Sequence, residues 1–175
     1  MIPKRLERNV VYESDWINLY TDKVQLTDGK IIDKYHYLHY PHESVCAILE
    51  NDIGEILLIK SNRYVTNREE LEIPAGRIEN GESTEQAMKR EVLEETGYDT
   101  SDIKYLCSFN PYNGMSDLKI HAYRAKAREK VIDFDTNEVK DINWISKERI
   151  TDMLFRNEIQ CGVSMLALLY VLQFK

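Results

Sequence analysis

The chain has 175 residues, of which 43% are hydrophobic and 30% are charged, and its formal net charge is −7. This length fits one domain with at most a small appendage, and the composition is typical of a globular protein. The negative charge disfavours a nucleic-acid partner, because nonspecific binders neutralise phosphates with a basic face. No segment reaches the roughly 18 apolar residues of a membrane span, and the basic N-terminus is not followed by an apolar signal, so we expect a cytoplasmic protein without a membrane partner.

The first 43 residues predict a small antiparallel β-sheet. Strand-forming segments cover residues 10–13, 16–26 and 31–40, and the turn-forming sequence Thr-Asp-Gly-Lys at 27–30 joins the last two. A sheet of this size is only marginally stable alone, so it must pack on the rest of the chain or on a second subunit. We therefore expect a separate N-terminal unit at residues 1–43.

Residues 44–175 predict a second unit of mixed composition. Strands at 45–49 and 55–60 flank a turn at 51–54 and form a hairpin. Further strands are expected at residues 104–109, 119–125 and 139–145, and helices at residues 83–96, 146–155 and 162–174. Strands mixed with a few helices predict an α+β or α/β sandwich.

The helix at 83–96 has clear start and stop signals. Ser83 and Gln86 are spaced as a capping box, and Gly97 stands where a left-handed residue ends a helix. Met88 and Val92 lie on one side of the helix and are expected to anchor it to the core.

Three glutamates concentrate charge on this helix. Glu91, Glu94 and Glu95 are spaced i, i+3 and i+4, so their side chains fall within one arc of about 100°. Like charges on one face repel each other, whereas hard divalent cations bind oxygen ligands in such an arrangement. A solvated acidic face is the alternative interpretation of the three glutamates taken alone.

The residues around these glutamates form a longer pattern. In order, they match the pattern G-x5-E-x7-R-E-U-x-E-E-x-G-U, where U is a bulky aliphatic residue, at Gly76, Glu82, Arg90, Glu91, Val92, Glu94, Glu95 and Gly97. Only Tyr98, at the last U, departs from it. The segment therefore resembles the signature of the Nudix hydrolase family, which implies an α/β/α sandwich and metal-dependent cleavage of a diphosphate bond.

The resemblance also implies roles for individual residues. Glu91, Glu95 and the backbone carbonyl of Ala75 would hold a Mg²⁺ or Mn²⁺ ion, and Glu94 and Glu82 would reach a second ion or its water. Arg90 would pair with a carboxylate of the group and keep it oriented. Gly76 and Gly97 would permit sharp turns on either side of the loop and helix.

Sequences outside the signature indicate a subgroup. Residues 71–77, which include Glu72, resemble the L-E-x-P-A-G lead-in of ADP-ribose and nucleoside diphosphate sugar pyrophosphatases. Arg63 resembles part of their Q-Y-R element and is a candidate diphosphate contact, although a solubilising surface arginine is an equal alternative. Residues 110–117, which include Gly114, resemble their S-P-G-x-S-D/N-E loop.

The N-terminal strands resemble the small sheet that these pyrophosphatases exchange between the subunits of a homodimer. The resemblance implies that this chain forms a homodimer and that its N-terminal sheet helps to bind the nucleoside. Trp16 could stack on a base, and burial in a subunit interface is the alternative role for this side chain.

The general base is left open by one departure from the family pattern. Relatives carry a glutamate after the Ser-Asp or Ser-Asn pair, where this chain has Leu118. Glu94 is our preferred base, and Glu82, Asp117 and Glu138 are the alternatives.

Two other functions compete with hydrolysis of an ADP-ribose-like substrate. The same chemistry could act on nucleoside triphosphates, dinucleoside polyphosphates or coenzyme A, although minimal triphosphatases usually lack the N-terminal sheet. A nucleotide-binding regulatory protein with the same fold would usually add a DNA-binding segment and lose carboxylates of the signature. All the carboxylates of the signature are present here.

Overall fold

A computed structural model describes residues 2–174 and divides them into two compact units. The first unit comprises the residues up to Glu43 together with Asn110–Lys119. The second comprises Ser44–Phe109 and the residues from Ile120 onward. None of the helices within residues 2–174 is both long and apolar enough to cross a membrane.

The first unit contains a three-stranded antiparallel sheet in the order β1-β2-β3. Its strands are β1 (Lys4–Tyr12), β2 (Asn18–Gln25) and β3 (Ile31–His39). This agrees with the small N-terminal sheet that the sequence predicts. The segment Asn110–Lys119 belongs to the same unit, and the Leu38 amide donates a hydrogen bond of 2.8 Å to the Met115 carbonyl.

The second unit is built on a mixed sheet of seven strands. These are β4 (Ser44–Glu50), β5 (Ile56–Arg63), β6 (Arg68–Glu72), β7 (Ala75–Arg77), β8 (Tyr98–Phe109), β9 (Ile120–Lys130) and β10 (Val139–Ile145). The main path of the sheet is β10-β5-β4-β9-β8, and β6 and β7 pair with β5 and β4. The β4–β9 pair is parallel and the other pairs are antiparallel.

Three helices complete this unit, namely α1 (Thr84–Thr96), α2 (Lys147–Phe155) and α3 (Gly162–Gln173). Val45, Ala47 and Leu49 of β4 pack with Met88 and Val92 of α1 in one core cluster. The alternate residues of β4 are also buried, and α3 contacts this strand as well. A central strand buried on both faces confirms the predicted α/β/α sandwich and the anchoring role of Met88 and Val92.

Candidate active site

The helix α1 and the loop before it carry a group of charged side chains that we call the acidic cluster. It consists of Glu82, Arg90, Glu91, Glu94 and Glu95. The Ser83 side chain accepts a hydrogen bond from the Gln86 amide, and the Gln86 side chain accepts one from the Ser83 amide. This capping box confirms the predicted start of the helix and holds the loop residue Glu82 next to its first turn.

The helix ends as predicted at Gly97, which adopts the left-handed conformation with φ of 79°. Its amide donates a 2.8 Å hydrogen bond to the Leu93 carbonyl. A Cβ atom at this position would also overlap the carbonyl oxygen of Ile132. Glycine is therefore required at position 97 by both its backbone conformation and its surroundings.

Arg90 is the hub of the acidic cluster. Its Nε atom donates to Glu82 Oε1 at 2.8 Å, and its Nη1 atom donates to Glu91 Oε1 at 2.8 Å and to Glu94 Oε2 at 3.1 Å. Its Nη2 atom donates to the carbonyl oxygen of Arg77 at 2.8 Å. The hydrogen bond from Arg90, supported by the Glu79 amide, lowers the pKa of Glu82 to about 2. One guanidinium thus orients three carboxylates, which is the pairing that the family resemblance implied.

Glu91 and Glu95 are the buried members of the cluster, with 9% and 5% of their surface exposed, whereas over half of the Glu94 side chain is exposed. Burial raises the pKa of Glu95 to about 8, and the nearby charge of Glu91 adds to this effect against a hydrogen bond from the Ala75 amide. Burial likewise raises the pKa of Glu91, although its ion pair with Arg90 opposes the shift. For both carboxylates, the effect of burial on the pKa exceeds that of their hydrogen-bond and charge partners.

Gly76 has a different role from the one that the sequence indicated. We expected a sharp turn there, but Gly76 lies in β7, and its φ is outside the left-handed region. A Cβ atom on Gly76 would instead overlap the carboxylate of Glu91. The expected turn was therefore wrong, and glycine is required because the Glu91 carboxylate occupies the space of a side chain.

Hydrogen bonds to other parts of the second unit hold the lead-in segment, residues 71–77, and so position Ala75. The Ile73 amide donates to Ser164 Oγ at 3.0 Å, and the Ala47 amide donates to the Pro74 carbonyl at 2.9 Å. The Ala75 amide then donates to Glu95 Oε2 at 2.8 Å. We had not singled out Ser164, although a polar residue within the apolar helix α3 was a usable signal. The predicted role of the Ala75 carbonyl as a metal ligand stays a prediction.

Arg63 and Glu72 form a two-point ion pair in the same unit. Arg63 Nε and Nη2 donate to the two carboxylate oxygens of Glu72 at 2.8 and 2.6 Å, and Glu72 is 6% exposed. The charge of Arg63 offsets a small part of the rise in the pKa of Glu95, so the guanidinium acts electrostatically on the acidic cluster. The structure thus brings these two predicted substrate contacts together beside the helix.

The other two predicted substrate contacts lie in the first unit. Trp16 follows β1 and is 70% exposed. The Gly114 carbonyl accepts a hydrogen bond of 2.5 Å from the hydroxyl of Tyr35 on β3. Their roles in binding stay predictions.

Asp117, an alternative base, is fully engaged within the first unit. Its carboxylate accepts a hydrogen bond of 2.5 Å from the Tyr37 hydroxyl and one of 2.9 Å from the Tyr40 amide, and it pairs with His39 Nδ1 at 2.5 Å. Burial would raise the pKa of Asp117, but these partners outweigh it and lower the pKa. A carboxylate with three partners and a lowered pKa is a poor proton acceptor, and the same reasoning disfavours Glu82, whose pKa is about 2. Glu94 and Glu138 are the candidates that this argument leaves.

The donor atoms of the acidic cluster suit a divalent cation. All of them are carboxylate oxygens, and Glu91 and Glu95 are buried without enough positive charge. Within residues 2–174, no three acidic, histidine or cysteine side chains converge closely enough to form a metal site as they stand. Arg90 donates a hydrogen bond to one carboxylate oxygen of Glu91 and to one of Glu94. A bound cation would therefore share these two oxygens with the guanidinium.

Comparison with protein families gives two matches along the chain. The model described as the NUDIX domain matches residues 40–161. The model described as the nucleoside diphosphate sugar hydrolase N-terminal domain matches residues 3–38.

Curated relatives and a solved structure resemble the chain, most of them over nearly its whole length. An ADP-ribose pyrophosphatase of Bacillus subtilis is 27% identical, and the match covers 96% of this chain and 91% of the relative. A methanol dehydrogenase activator of Bacillus methanolicus is 26% identical, with the same shares covered. An NAD-capped RNA hydrolase of Vibrio atlanticus is 35% identical, over 66% of this chain and 42% of the relative. The crystal structure of an ADP compounds hydrolase shares the fold, with a TM-score of 0.87, 20% identity and coverage of 99% of this chain and 94% of that one.

Proposed function

The chain belongs to the Nudix family of pyrophosphohydrolases, and from that premise we propose that it hydrolyses ADP-ribose or a related nucleoside diphosphate sugar to two monophosphates in a Mg²⁺-dependent reaction. The observation that carries the proposal is the pair of buried carboxylates, Glu91 and Glu95, whose pKa values are raised mainly by burial and further by neighbouring carboxylates. A diphosphate substrate bound beside Glu91 and Glu95 would need cations there, because its negative charge must be neutralised before a water molecule can approach the phosphorus.

Glu91, Glu95 and the Ala75 carbonyl would hold the first Mg²⁺ or Mn²⁺ ion, and Glu94 and Glu82 would serve a second. When bound, such a cation neutralises phosphate charge and lowers the pKa of a water molecule. Arg90 keeps the carboxylates oriented through its three ion pairs.

Glu94 is the proton acceptor that we favour, because it is the most exposed carboxylate of the acidic cluster. Glu138 is the alternative that lies near the cluster, since its charge raises the pKa of both Glu91 and Glu95.

The proposed substrate class rests on residues outside the acidic cluster. Glu72 holds the Arg63 guanidinium by two hydrogen bonds, so Arg63 is presented in a defined orientation and can contact a diphosphate through its remaining nitrogen. Trp16 would stack on the base and the Gly114 segment would contact the substrate. The match of residues 3–38 to the N-terminal domain of nucleoside diphosphate sugar hydrolases and the Bacillus subtilis relative support this class.

We also propose that the chain forms a homodimer through the N-terminal sheet. Strand β1 exposes large apolar side chains, namely Leu6, Val10, Val11 and Tyr12, each about half exposed. Such a surface is typical of an interface. Sedimentation velocity should show a species of twice the chain mass, and Val10→Glu should shift it toward the monomer. A monomeric wild-type chain at micromolar concentration would contradict the proposal.

A hydrolysis screen tests the function, with a coupled phosphatase that releases inorganic phosphate from the monophosphate products but not from the diphosphate substrates. The substrates are ADP-ribose, ADP-glucose, GDP-mannose, dinucleoside polyphosphates and nucleoside triphosphates, each with Mg²⁺ and with a chelator. We expect the highest kcat/KM for ADP-ribose or a nucleoside diphosphate sugar, and a loss of about a thousandfold in Glu95→Gln, because a cation ligand contributes several kcal/mol to the transition state. Turnover that resists the chelator, or equal turnover in Glu95→Gln, would refute the metal assignment, and preference for triphosphates would refute the substrate class.

The same assay separates the two candidate bases. Glu94→Gln should lower kcat and remove the acidic limb of the pH–rate profile, because the proton acceptor would be lost. Glu138→Gln is the matched control, because it removes one carboxylate from the same surroundings. Loss of the limb in Glu138→Gln alone would assign the base to Glu138.

A further inference from the structure

A second cluster of charged side chains lies in the second unit, away from the acidic cluster. We call it the Glu50 cluster, and it consists of Glu50 at the end of β4, Arg124 and Lys126 of β9, and Lys147 of α2. Glu50 is 1% exposed. Arg124 Nη2 donates to its Oε2, Lys126 Nζ lies 3.6 Å from the same oxygen, and Lys147 Nζ lies 3.0 Å from Oε1.

The Glu50 cluster carries an excess of positive charge. Three cations surround one carboxylate, so the net charge is three minus one, or +2. Between 23% and 33% of each cationic side chain is exposed, so the excess charge is accessible to solvent. In a chain whose total charge is −7, this is a local reversal of sign that can attract an anion.

A surface pocket adjoins these cations. Its volume is about 400 Å³, and it is lined by Asp102, Ile103, Lys104, Arg124, Ala125 and Lys126. The exposed Lys104 of β8 stands opposite Arg124 in the register of the two strands. Three basic side chains from two neighbouring strands therefore share one concave surface.

The backbone shapes this pocket. The β8–β9 register shifts between Ser101 and Lys104, and Asp102 within the shift has φ of 48°, in the left-handed region. A bulge of this kind bends a strand and redirects its side chains. The pocket is thus built by a defined irregularity of the edge strand and does not depend on one side-chain rotamer.

The pocket is separate from the acidic cluster. Tyr123 and Ala125 of β9 pack in the core cluster with Met88 and Val92 of α1. Successive side chains of a strand point to opposite faces, so Arg124 and Lys126 lie on the face away from α1.

We propose that this pocket binds the phosphate group of a small phosphomonoester that carries hydroxyl groups. Arg124, Lys126 and Lys104 supply the charged donors that bind phosphate, and the planar guanidinium of Arg124, whose Nη2 atom donates to Glu50, carries further N–H groups. A volume of about 400 Å³ lies within the range of small-molecule sites. Asp102 on the pocket wall would repel a bare anion but can accept a hydrogen bond from a hydroxyl group, which favours a sugar phosphate.

The test is a ligand titration of the full chain in which the backbone amide signals are monitored by NMR. The buffer is free of metal and its ionic strength is held constant. The probes are inorganic phosphate and ribose 5-phosphate, with sodium chloride as the reference. We expect saturable shifts in residues 102–104 and 124–126, and tighter binding of ribose 5-phosphate than of inorganic phosphate. Equal affinities would refute the hydroxyl contact of Asp102.

Three variants assign the binding to the pocket. Lys104→Glu reverses an exposed charge and should weaken binding by about tenfold to a hundredfold, as expected for loss of a charge-assisted hydrogen bond. Asp102→Asn should tighten binding of inorganic phosphate, because it removes a negative charge and asparagine tolerates the left-handed conformation. Lys34→Glu, which makes the same charge change at an exposed position of β3, should leave the affinity unchanged.

Two outcomes would overturn the proposal. One is an absence of saturable shifts in the pocket residues. The other is equal weakening in Lys104→Glu and Lys34→Glu, since this would mean that the anion responds only to the total charge. Both outcomes are independent of the Nudix reaction, because the measurement uses neither metal nor turnover.

Discussion

The acidic cluster and the Glu50 cluster both contain buried glutamates in the same unit, but the two clusters shift the pKa of a buried glutamate in opposite directions. Glu50 has three cations within 4 Å, and although burial alone would raise its pKa, the hydrogen bonds from Arg124 and Lys147 lower it to about 2. Glu95 accepts a hydrogen bond from the Ala75 amide, and its pKa is raised to about 8, mainly by burial. Burial alone raises the pKa of both carboxylates, and the hydrogen bonds and charges around each one determine whether that rise remains or is reversed.

This difference distinguishes Glu50, whose carboxylate stabilises the fold, from the carboxylates of the acidic cluster, which we propose take part in the reaction. The acidic cluster has four carboxylates and one guanidinium, so its net charge is one minus four, or −3, when all are ionised. A folded protein tolerates such a deficit where a cation completes the site. The Glu50 cluster needs no metal, because its own side chains supply more than enough positive charge.

The largest expected effect in this comparison is on stability, from Glu50→Gln. We expect the free energy of unfolding at pH 7 to fall by about 3 kcal/mol, because the variant leaves three cations facing each other without their buried partner. Turnover should be unchanged, since Glu50 belongs to a different cluster. Denaturant unfolding together with the activity assay measures both effects.

The pH dependence of the same variant checks the cause. Because the folded-state pKa of Glu50 is about 2 and its ordinary value is 4.5, its contribution is fully present above about pH 4.5 and is lost as the pH falls toward 2. The wild type and Glu50→Gln should therefore converge in stability at low pH. Glu69→Gln is the control, since Glu69 also pairs with two lysines but is exposed, and its pairs contribute little. A constant difference between wild type and Glu50→Gln down to pH 2 would contradict the electrostatic explanation.

A smaller effect on stability, with a larger one on activity, is expected from Gly76→Ala. The added methyl group displaces the Glu91 carboxylate, which is the end of a flexible side chain, so we expect unfolding to become easier by only about 1 kcal/mol. Turnover should fall by about tenfold to a hundredfold, as when the orientation of a metal ligand is disturbed.

Gly162→Ala is the matched control for this substitution. A Cβ atom there meets open space at the start of α3, so stability should be equal or slightly higher and activity unchanged. Wild-type turnover in Gly76→Ala would show that the position of Glu91 is unimportant for the reaction.

Local signals predicted local structure well. The start and end of α1 depend on Ser83, Gln86 and Gly97, all within one turn of the helix ends, and the structure confirms them. Arg90 and Glu94 lie four residues apart on the same helix, so their pairing also follows from short-range spacing. Strand boundaries were less accurate, since β8 begins directly after Gly97 and β9 continues to Lys130. Neighbouring strands determine where a strand ends, and these lie far away in sequence.

Non-local contacts were not visible in the sequence. Ser164 supports the lead-in to Ala75 across 91 residues, and Glu50 meets Arg124 across 74 residues. Asp117, which the sequence offered as a base, is engaged by β3 across about 80 residues. No periodicity in the chain marks such pairs, because they depend on how strands are ordered in the sheet.

The sequence by itself determined the helix α1, its carboxylates and the reaction class, because these depend on residue types at short fixed spacings. The tertiary structure decided which glutamates lack positive charge, because that depends on burial and on partners brought from distant strands. It also decided why residue 76 is glycine, since the space beside it is filled by a carboxylate from the following helix. Both kinds of information meet at Glu91 and Glu95, whose positions are set by the helix and whose charge deficit is set by the fold.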